Sequence, residues 1–306
     1  MILPTLRQLQ FFIALARRQS FSRAAQDSYV SQSTLSSAVK ELEAILEVQL
    51  VDRSTRSFSL TPAGESVARQ ASALLANTED LVLSVRNIAP LSDSFRLGVI
   101  PTIAPFLLPA LTPALQRDYP DLKLFLREEL SAILMEQLTA GLIDAALLAL
   151  PYDMPAMESM EVGQDIFWFA CAPDHPLAKV KTIDNDQLAA TSLLLLEDGH
   201  CLRDHALAAC RLQSADKAAS FGGTSLLTLV EMTRAGVGAT LLPDMAIRQG
   251  MAEAAGLLIK PLGKPEPSRT IGVAWRKGSG RAEEAKALGI VVRETLKRMQ
   301  QSRLQP

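Results

Sequence analysis

A small helical N-terminal domain, one long helix and an α/β domain filling the remainder: this is the fold class that the 306-residue sequence predicts. Three observations predict it. Residues 5–60 carry three short helical periodicities followed by an alternating segment with two arginines. Residues 61–88 open on a helix-start signal and then sustain a heptad seam. Beyond Pro90, short apolar runs alternate with helical patterns to the C-terminus, which argues for an α/β architecture with largely parallel sheets. The boundaries are 1–60 for the N-terminal domain, 61–89 for the linker helix and 90–306 for the α/β domain.

In the first helix Leu6, Leu9, Ile13 and Ala16 recur at helical spacing, and the pattern halts near Gln19-Ser20-Phe21. Ser22 is the expected cap of a second short helix running through Ala24, Ala25 and Ser28. Tyr29-Val30 forms a turn and Ser31 caps a third helix, whose inward stripe is Leu35, Val39, Leu42 and Leu46. The opposite face offers Ser31, Gln32, Ser33, Thr34, Ser36, Ser37 and Lys40. Short polar side chains at a helix start suit a major groove, where they approach base edges and phosphates closely. Two helices joined by a tight turn, the second bearing such a face, read as helix-turn-helix. Residues 51–60 then alternate and carry Arg53 and Arg56, as a small β-wing would. The fold is thus a winged helix-turn-helix, with double-stranded DNA as its partner; an ordinary solvated helix face is the plainer alternative. Residues 1–60 carry a net charge of +2 against −2 for the whole chain, so any basic surface is local.

Thr61-Pro62-Ala63-Gly64-Glu65 opens the long helix, with Thr61 as N-cap, Pro62 at the first helical position and Glu65 in the first turn. Val67, Ala71, Leu74, Thr78, Leu81, Val85 and Ile88 then repeat at spacings of four and three. One helix cannot bury an a/d seam by itself, so a second subunit is the expected cover. Packing on its own N-terminal domain is the alternative.

In the α/β part, strands are expected at 95–100, 122–128, 145–150, 166–170, 193–196, 239–242 and 271–275. Helices are expected at 105–116, 131–139, 226–234 and 281–299. Ligand sites in such folds lie beyond the carboxyl ends of strands, which points to Pro101-Thr102 and Glu129-Leu130-Ser131. The chain has only three cysteines, and two of them, Cys201 and Cys210, fall in one segment. Gly199-His200-Cys201-Leu202-Arg203-Asp204 follows an apolar strand and precedes an Ala/Leu-rich run, so Cys201 belongs at a helix start, where an anion is favoured. A helix spanning the two cysteines separates their Cα atoms by roughly 12–14 Å, whereas a disulfide needs about 7 Å or less. Joining them therefore requires the segment to refold. Two readings stay open at this point: a redox pair, or two buried structural thiols. Cys171 ends a buried strand and reads as packing. Cys201 and His205 form an i, i+4 pair, but no third and fourth ligands follow, so no metal is expected and no cofactor either.

The N-terminus lacks the basic and apolar regions of a signal peptide, and no apolar stretch is long enough to span a membrane. A cytoplasmic protein is expected, in which disulfides are transient, catalytic or sensory.

Several spaced motifs together resemble the LysR-type transcriptional regulators: Ser31-Gln32-Ser33-Thr34-Leu35-Ser36, then Leu42-Glu43, then Arg53 through Leu60-Thr61-Pro62-Ala63-Gly64. The resemblance implies a two-lobed, periplasmic-binding-protein-like regulatory domain, with lobe I at about 93–165 and 267–306 and lobe II at about 166–266. It also implies a homotetramer on a pseudo-palindromic operator, with RNA polymerase as a further partner. Gly98-Val99-Ile100-Pro101-Thr102, Leu107-Leu108-Pro109, residues 195–204, Cys210, Pro265-Glu266-Pro267 and Arg269-Thr270-Ile271-Gly272 are most similar to the hydrogen-peroxide sensors of that family. This likeness implies that Cys201 is the peroxidatic cysteine and Cys210 the resolving one, with Thr102, His200 and Arg269 around the peroxide, in an activator of oxidative-stress genes. Those sensors usually carry Gln-Thr where this chain has Leu130-Ser131; Ser131 keeps the hydroxyl and Leu130 loses an amide. The chemistry also asks for hydroxyls to align the O–O axis and for electrostatic partners: Thr102 and Ser131 suit the first role, Arg203 or Arg269 the second, with Asp204 holding Arg203 or His200. The competing readings are a regulator answering a small organic effector in the inter-lobe cleft, with incidental cysteines, and a thiol peroxidase. The DNA-binding module counts against the last, so an enzyme is not expected.

Overall fold

The computed structural model describes residues 2–52, 58–85, 89–211 and 222–301. The chain forms two compact units, one holding residues 1–87 with the short loops 139–142 and 278–280, the other holding the remainder. Each has its own apolar core.

In the first unit α1 (Leu6–Arg18) starts at a capping box in which Thr5 and Gln8 satisfy each other's backbone amides. α2 (Phe21–Asp27) is capped by Ser20, not by Ser22 as the sequence suggested. With Ser20 as the cap directly after the left-handed Gln19, Phe21 packs half-buried against the core, edge-on to Phe58 at 6.3 Å, and Ser22 is exposed. α3 (Gln32–Leu46) begins at Ser31, whose Oγ accepts the Thr34 amide at 3.1 Å. Leu35, Val39 and Leu42 are fully buried on its inner face. Glu43, one turn from the helix end, accepts the Leu50 and Val51 amides at 2.9 and 3.2 Å and so sets the start of the next strand. β1 (Val51–Asp52) and β2 (Ser59–Leu60) pair antiparallel. Arg53 and Arg56 belong to the connection between them and lie outside the described residues.

α4 (Pro62–Ser84) begins at Thr61, which accepts the Gly64 amide and donates to the Gln49 carbonyl at 2.7 Å. Gly64 has no substitute: a Cβ there would sit 2.1 Å from the Leu50 carbonyl oxygen. The heptad stripe divides along the helix. Val67, Ala71 and the adjacent Leu75 pack into the unit's own core, while Leu74, Leu81 and Val85 are exposed. Ile88 lies outside the described residues.

The second unit runs β3 (Ser94–Val99), α5 (Ala104–Asp118), β4 (Lys123–Glu128), α6 (Ser131–Thr139), β5 (Ala145–Leu150), β6 (Met157–Cys171), α7 (Asn185–Ala189), β7 (Leu193–Leu196), α8 (Cys201–Ala209), β8 (Gly222–Gly223), α9 (Leu226–Arg234), β9 (Ala239–Pro243), α10 (Asp244–Arg248), α11 (Met251–Ala254), β10 (Leu258–Pro261), β11 (Ser268–Arg276) and α12 (Ala282–Gln301). Its strands are ordered β4-β3-β5-β11-β6-β9-β7-β8, with β10 also on β6. β4, β3 and β5 are parallel, as are β7 with β8 and β9. The expectation of largely parallel sheets needs correction at the centre. β11 runs antiparallel to β5 and β6, and β6 runs antiparallel to β9 and β10. These two long strands carry the chain between the halves of the sheet, so they enter each half against the direction its βα units set. β6 changes partner at Ile166/Phe167, from β11 to β9. Among the described residues no helix is long and apolar enough to cross a membrane.

Candidate functional site

The outer surface of α3 is polar where the sequence placed its reading face. Ser31, Gln32, Ser33, Thr34 and Lys40 are exposed and Ser36 is half-buried. The Ser31 hydroxyl lies 2.8 Å from that of Ser33 and 2.7 Å from that of Thr34, so three of these groups form one hydrogen-bonded cluster around the helix start. Gln8 of α1 reaches Glu41 at 3.2 Å, and Arg18 pairs with Asp27 of α2, which fixes the helices against one another. Tyr29, in the turn before α3, has a positive φ and is 96% exposed. The sequence places it only in the turn.

The second cluster forms at the carboxyl ends of β3, β4 and β5. Val99 and Glu128 are register partners, and Thr102 and Ser131 each follow by three residues, so the two hydroxyls leave neighbouring strands at matching positions. Thr102 is buried and accepts from Arg269 Nη1 at 2.8 Å, while Nη2 of the same arginine donates to the Thr102 carbonyl at 2.9 Å. Because Arg269 is only a donor, the Thr102 hydroxyl proton is directed elsewhere. Ser131 is 2% exposed, and its Oγ has no hydrogen-bond partner. A buried hydroxyl left unpaired costs about 1–3 kcal/mol and marks a place where a polar ligand or water belongs.

Arg269, at the start of β11, is fully buried and held from its other side by Asp165, which takes Nε at 3.0 Å and Nη2 at 2.9 Å. Asp165 also accepts the Met245 amide at 3.1 Å. Burial pushes the Asp165 carboxyl up, and the Arg269 guanidinium and the Met245 amide oppose it. Asp165 was not among the residues that the sequence singled out.

Cys201 is the first residue of α8, with His200 as its N-cap. Both are buried. Gly199 has φ +96, and a Cβ there would meet Leu130 Cδ1 at 3.7 Å, which brings the start of α8 beside the Leu130-Ser131 corner. α8 packs on β11, β5 and β7. Burial lowers the His200 pKa, against Glu197, so the imidazole is neutral at neutral pH and adds no positive charge. His205, one turn below Cys201, is also pushed down, first by burial and then by the Arg269 guanidinium.

Arg203 and Asp204 occupy other positions. Arg203 donates to Asp198 at the solvent edge, and Asp204 is exposed. Two residues on from Cys201 a helix has turned by about 200°, so Arg203 points away from the face that carries the sulfur. All three cysteines are free and buried. Cys210 follows the last turn of α8 as its C-cap, and burial pushes its thiol up to about 12. Nine residues of helical rise separate it from Cys201, roughly 13 Å. Cys171, at the end of β6, is raised by burial in the same sense.

Against known proteins, residues 6–65 match the "Bacterial regulatory helix-turn-helix protein, lysR family" model and residues 89–297 match the "LysR substrate binding domain" model. The chain belongs to the LysR family of transcriptional regulators. It is 39% identical to the HTH-type transcriptional regulator EstR of Acinetobacter baylyi over 90% of this chain and 92% of that protein. It is 37% identical to the hydrogen peroxide-inducible genes activator of Pectobacterium carotovorum, over 94% and 96% of the two chains. A solved structure of full-length OxyR from Pseudomonas aeruginosa, with one cysteine replaced by aspartate, superposes with a TM-score of 0.80 at 32% identity and covers 95% of this chain and 98% of that one. The regulatory unit is thus OxyR-like in fold.

Proposed function

We propose that this protein is a peroxide-responsive DNA-binding regulator in which Cys201 is the sensing thiol. The observation that carries the reading is the unpartnered, buried Ser131 hydroxyl, placed with Thr102 beside the helix start that bears Cys201. Two hydroxyls and the Thr102–Arg269–Asp165 chain supply what a small, doubly hydroxylic ligand needs. Cys201 attacks one oxygen of H₂O₂ as the thiolate. An S–O bond forms, the O–O bond breaks, and the departing hydroxide takes a proton to become water, leaving Cys201 as the sulfenic acid. The Cys210 thiol then displaces that hydroxyl, forming the disulfide and a second water. Arg203, engaged by Asp198, braces the first turn of α8 rather than the peroxide, and Asp204 is exposed.

The second step cannot occur in the reduced fold. Cys210 is a buried thiol far above its ordinary pKa and a helix length from its partner, so α8 must unwind before the bond forms. That rearrangement is the switch. The LysR-family helix-turn-helix reads an operator with the face of α3 that carries Ser31, Gln32, Ser33, Thr34, Ser36 and Lys40, and Arg53 and Arg56, outside the described residues, are the further DNA-binding residues that the sequence offers. The exposed Leu74, Leu81 and Val85 of α4 and its C-cap pair subunits, and two such dimers form the tetramer that contacts RNA polymerase in the cytoplasm.

The test is to treat the reduced protein with a slight excess of H₂O₂ and map cysteine linkages by peptide mass spectrometry. A Cys201–Cys210 bond formed within seconds, and absent from Cys201→Ser, is the expected result. Thiols that stay free under peroxide would overturn the reading in favour of a small organic effector.

A further inference from the structure

Two of the residues in the buried polar cluster stand at the near ends of elements whose far ends meet. Ser131 opens α6, and Arg269 is the second residue of β11. At the far ends the two elements are tied: Nη1 of Arg276, the last residue of β11, donates to the Leu138 carbonyl near the end of α6 at 3.0 Å. The loops that follow, 139–142 after α6 and 278–280 after β11, belong to the first unit, which also holds α4. Within that unit Asp80 of α4 is buried, and its Oδ1 accepts the Gly280 amide at 3.0 Å and the Ser279 hydroxyl at 3.2 Å. The seat is close: a Cβ on Gly280 would lie 2.7 Å from the Asp80 carbonyl oxygen and 2.9 Å from Leu83 Cβ. We propose that this clasp of loop 278–280 on Asp80 is the joint through which the redox state of Cys201 reaches α4 of the same chain. The inference rests on the peroxide reading above.

β11 is built to carry a displacement rather than absorb it. It is nine residues long and paired with β5 on one side and β6 on the other, so its ladder resists stretching. From Arg269 to Arg276 it spans about 23 Å. α8 packs on β11 and β5. The disulfide step requires α8 to open, and opening takes that support away from the strand. α8 is thus the two-state element, and the position of β11 is what it biases. At the other end of the strand the loop of residues 278–280 is short, with little slack to dissipate a shift. It ends in two hydrogen bonds to one buried carboxylate, and such bonds weaken steeply with distance and angle. The clasp therefore either moves α4 with the loop or releases it, and in both cases the helix registers the change at Asp80. The next residue, Leu81, lies on the exposed stripe assigned above to subunit pairing.

The experiment follows amide hydrogen exchange by mass spectrometry in the full-length protein, reduced and after H₂O₂, in peptides covering residues 76–84 and 277–281. Cysteine linkages are mapped in the same samples. In the wild type, formation of the Cys201–Cys210 bond is expected to change exchange in residues 76–84 by on the order of fivefold or more. Asp80→Ala is expected to form the same disulfide at the wild-type rate, while the oxidation-dependent change in residues 76–84 falls below about twofold. Because the readout is the difference between two redox states of one variant, a general loosening of α4 does not imitate it. Ser279→Ala removes one of the two hydrogen bonds and leaves Asp80 in place; it should show an intermediate loss, and it carries the test if Asp80→Ala does not fold. A wild-type disulfide that leaves residues 76–84 unchanged, or a change that survives both substitutions, overturns the proposal. A wild type that forms no disulfide would instead remove the peroxide reading, and this inference with it.

Discussion

The residue on which the regulatory unit most depends is Arg269, a cation with no exposure, held by one carboxylate, one hydroxyl and one carbonyl. Removing one member of a buried ion pair strands the other, at a cost of about 3–5 kcal/mol. Arg269→Met is therefore expected to lower the unfolding free energy of the regulatory unit, read from urea titration, by that amount, and Arg269→Met with Asp165→Asn to recover a large part of it. Equal midpoints for the single and double substitutions would show that Asp165 is not the stranded partner. At the proposed sensing thiols, Cys210→Ser should leave Cys201 oxidised only as far as the sulfenic acid, detectable with a dimedone-type trap, whereas Cys201→Ser should show no trapped adduct at that helix start. Thr102, Ser131 and Cys201 stood out in the sequence because they fall at strand-end or helix-start positions, and Arg269 only through the family resemblance. Asp165 did not stand out. A lone carboxylate in a strand reads as solvent-facing until its partner, 104 residues on, is placed against it.

At the scale of elements, the burial of Cys210 ties the stability of α8 to pH. The Cys210 pKa is raised from an ordinary value near 9 to about 12. In the folded helix Cys210 stays protonated where the opened segment would ionise, so stability is complete below pH 9 and declines as the pH rises from 9 toward 12, by up to a few kcal/mol. Amide hydrogen exchange in residues 202–210 should accelerate above pH 9 relative to β5, beyond the ordinary base catalysis of exchange. Cys210→Ala should abolish that excess; an excess that persists would place its cause elsewhere. The alternation of strands and helices, and both ends of α6, β5, β7 and α9, could be read from the chain. The first half of β6 could not, because its residues 157–161 are partly or fully exposed and supply no apolar run. The short α7, α10 and α11 are too brief to show a periodicity, and β10 lacks a buried face. The antiparallel course of β6 and β11 was missed because direction is a property of connections, not of composition.

For the whole molecule, the exposed apolar side chains toward the end of α4 and the polar face of α3 carry the remaining predictions. Leu81 is 68% exposed and Val85 79%, large values for aliphatic residues on one stripe. Leu81→Asp should shift sedimentation toward smaller species and weaken operator affinity, with the circular dichroism of the helices unchanged. Retention of the wild-type sedimentation profile would argue against subunit pairing through this stripe. Operator binding should weaken steeply with salt, by about 0.9 log unit per log unit for each phosphate contact, and Lys40→Ala should reduce that slope by about one. A shallow slope would argue against the proposed groove-reading role of α3.

On the proposed peroxide reading, the eight residues between Cys201 and Cys210 also give the molecule a sense of duration. In that proposal, sulfenic acid at Cys201 would accumulate as fast as peroxide arrives, and its capture by Cys210 would be limited by how often α8 opens. Above some peroxide level the yield of disulfide per second stops rising. A brief pulse is erased by ambient reductants before the latch closes, and a sustained one is recorded. The response then reports accumulated dose, with a time constant written into the stability of a single short helix.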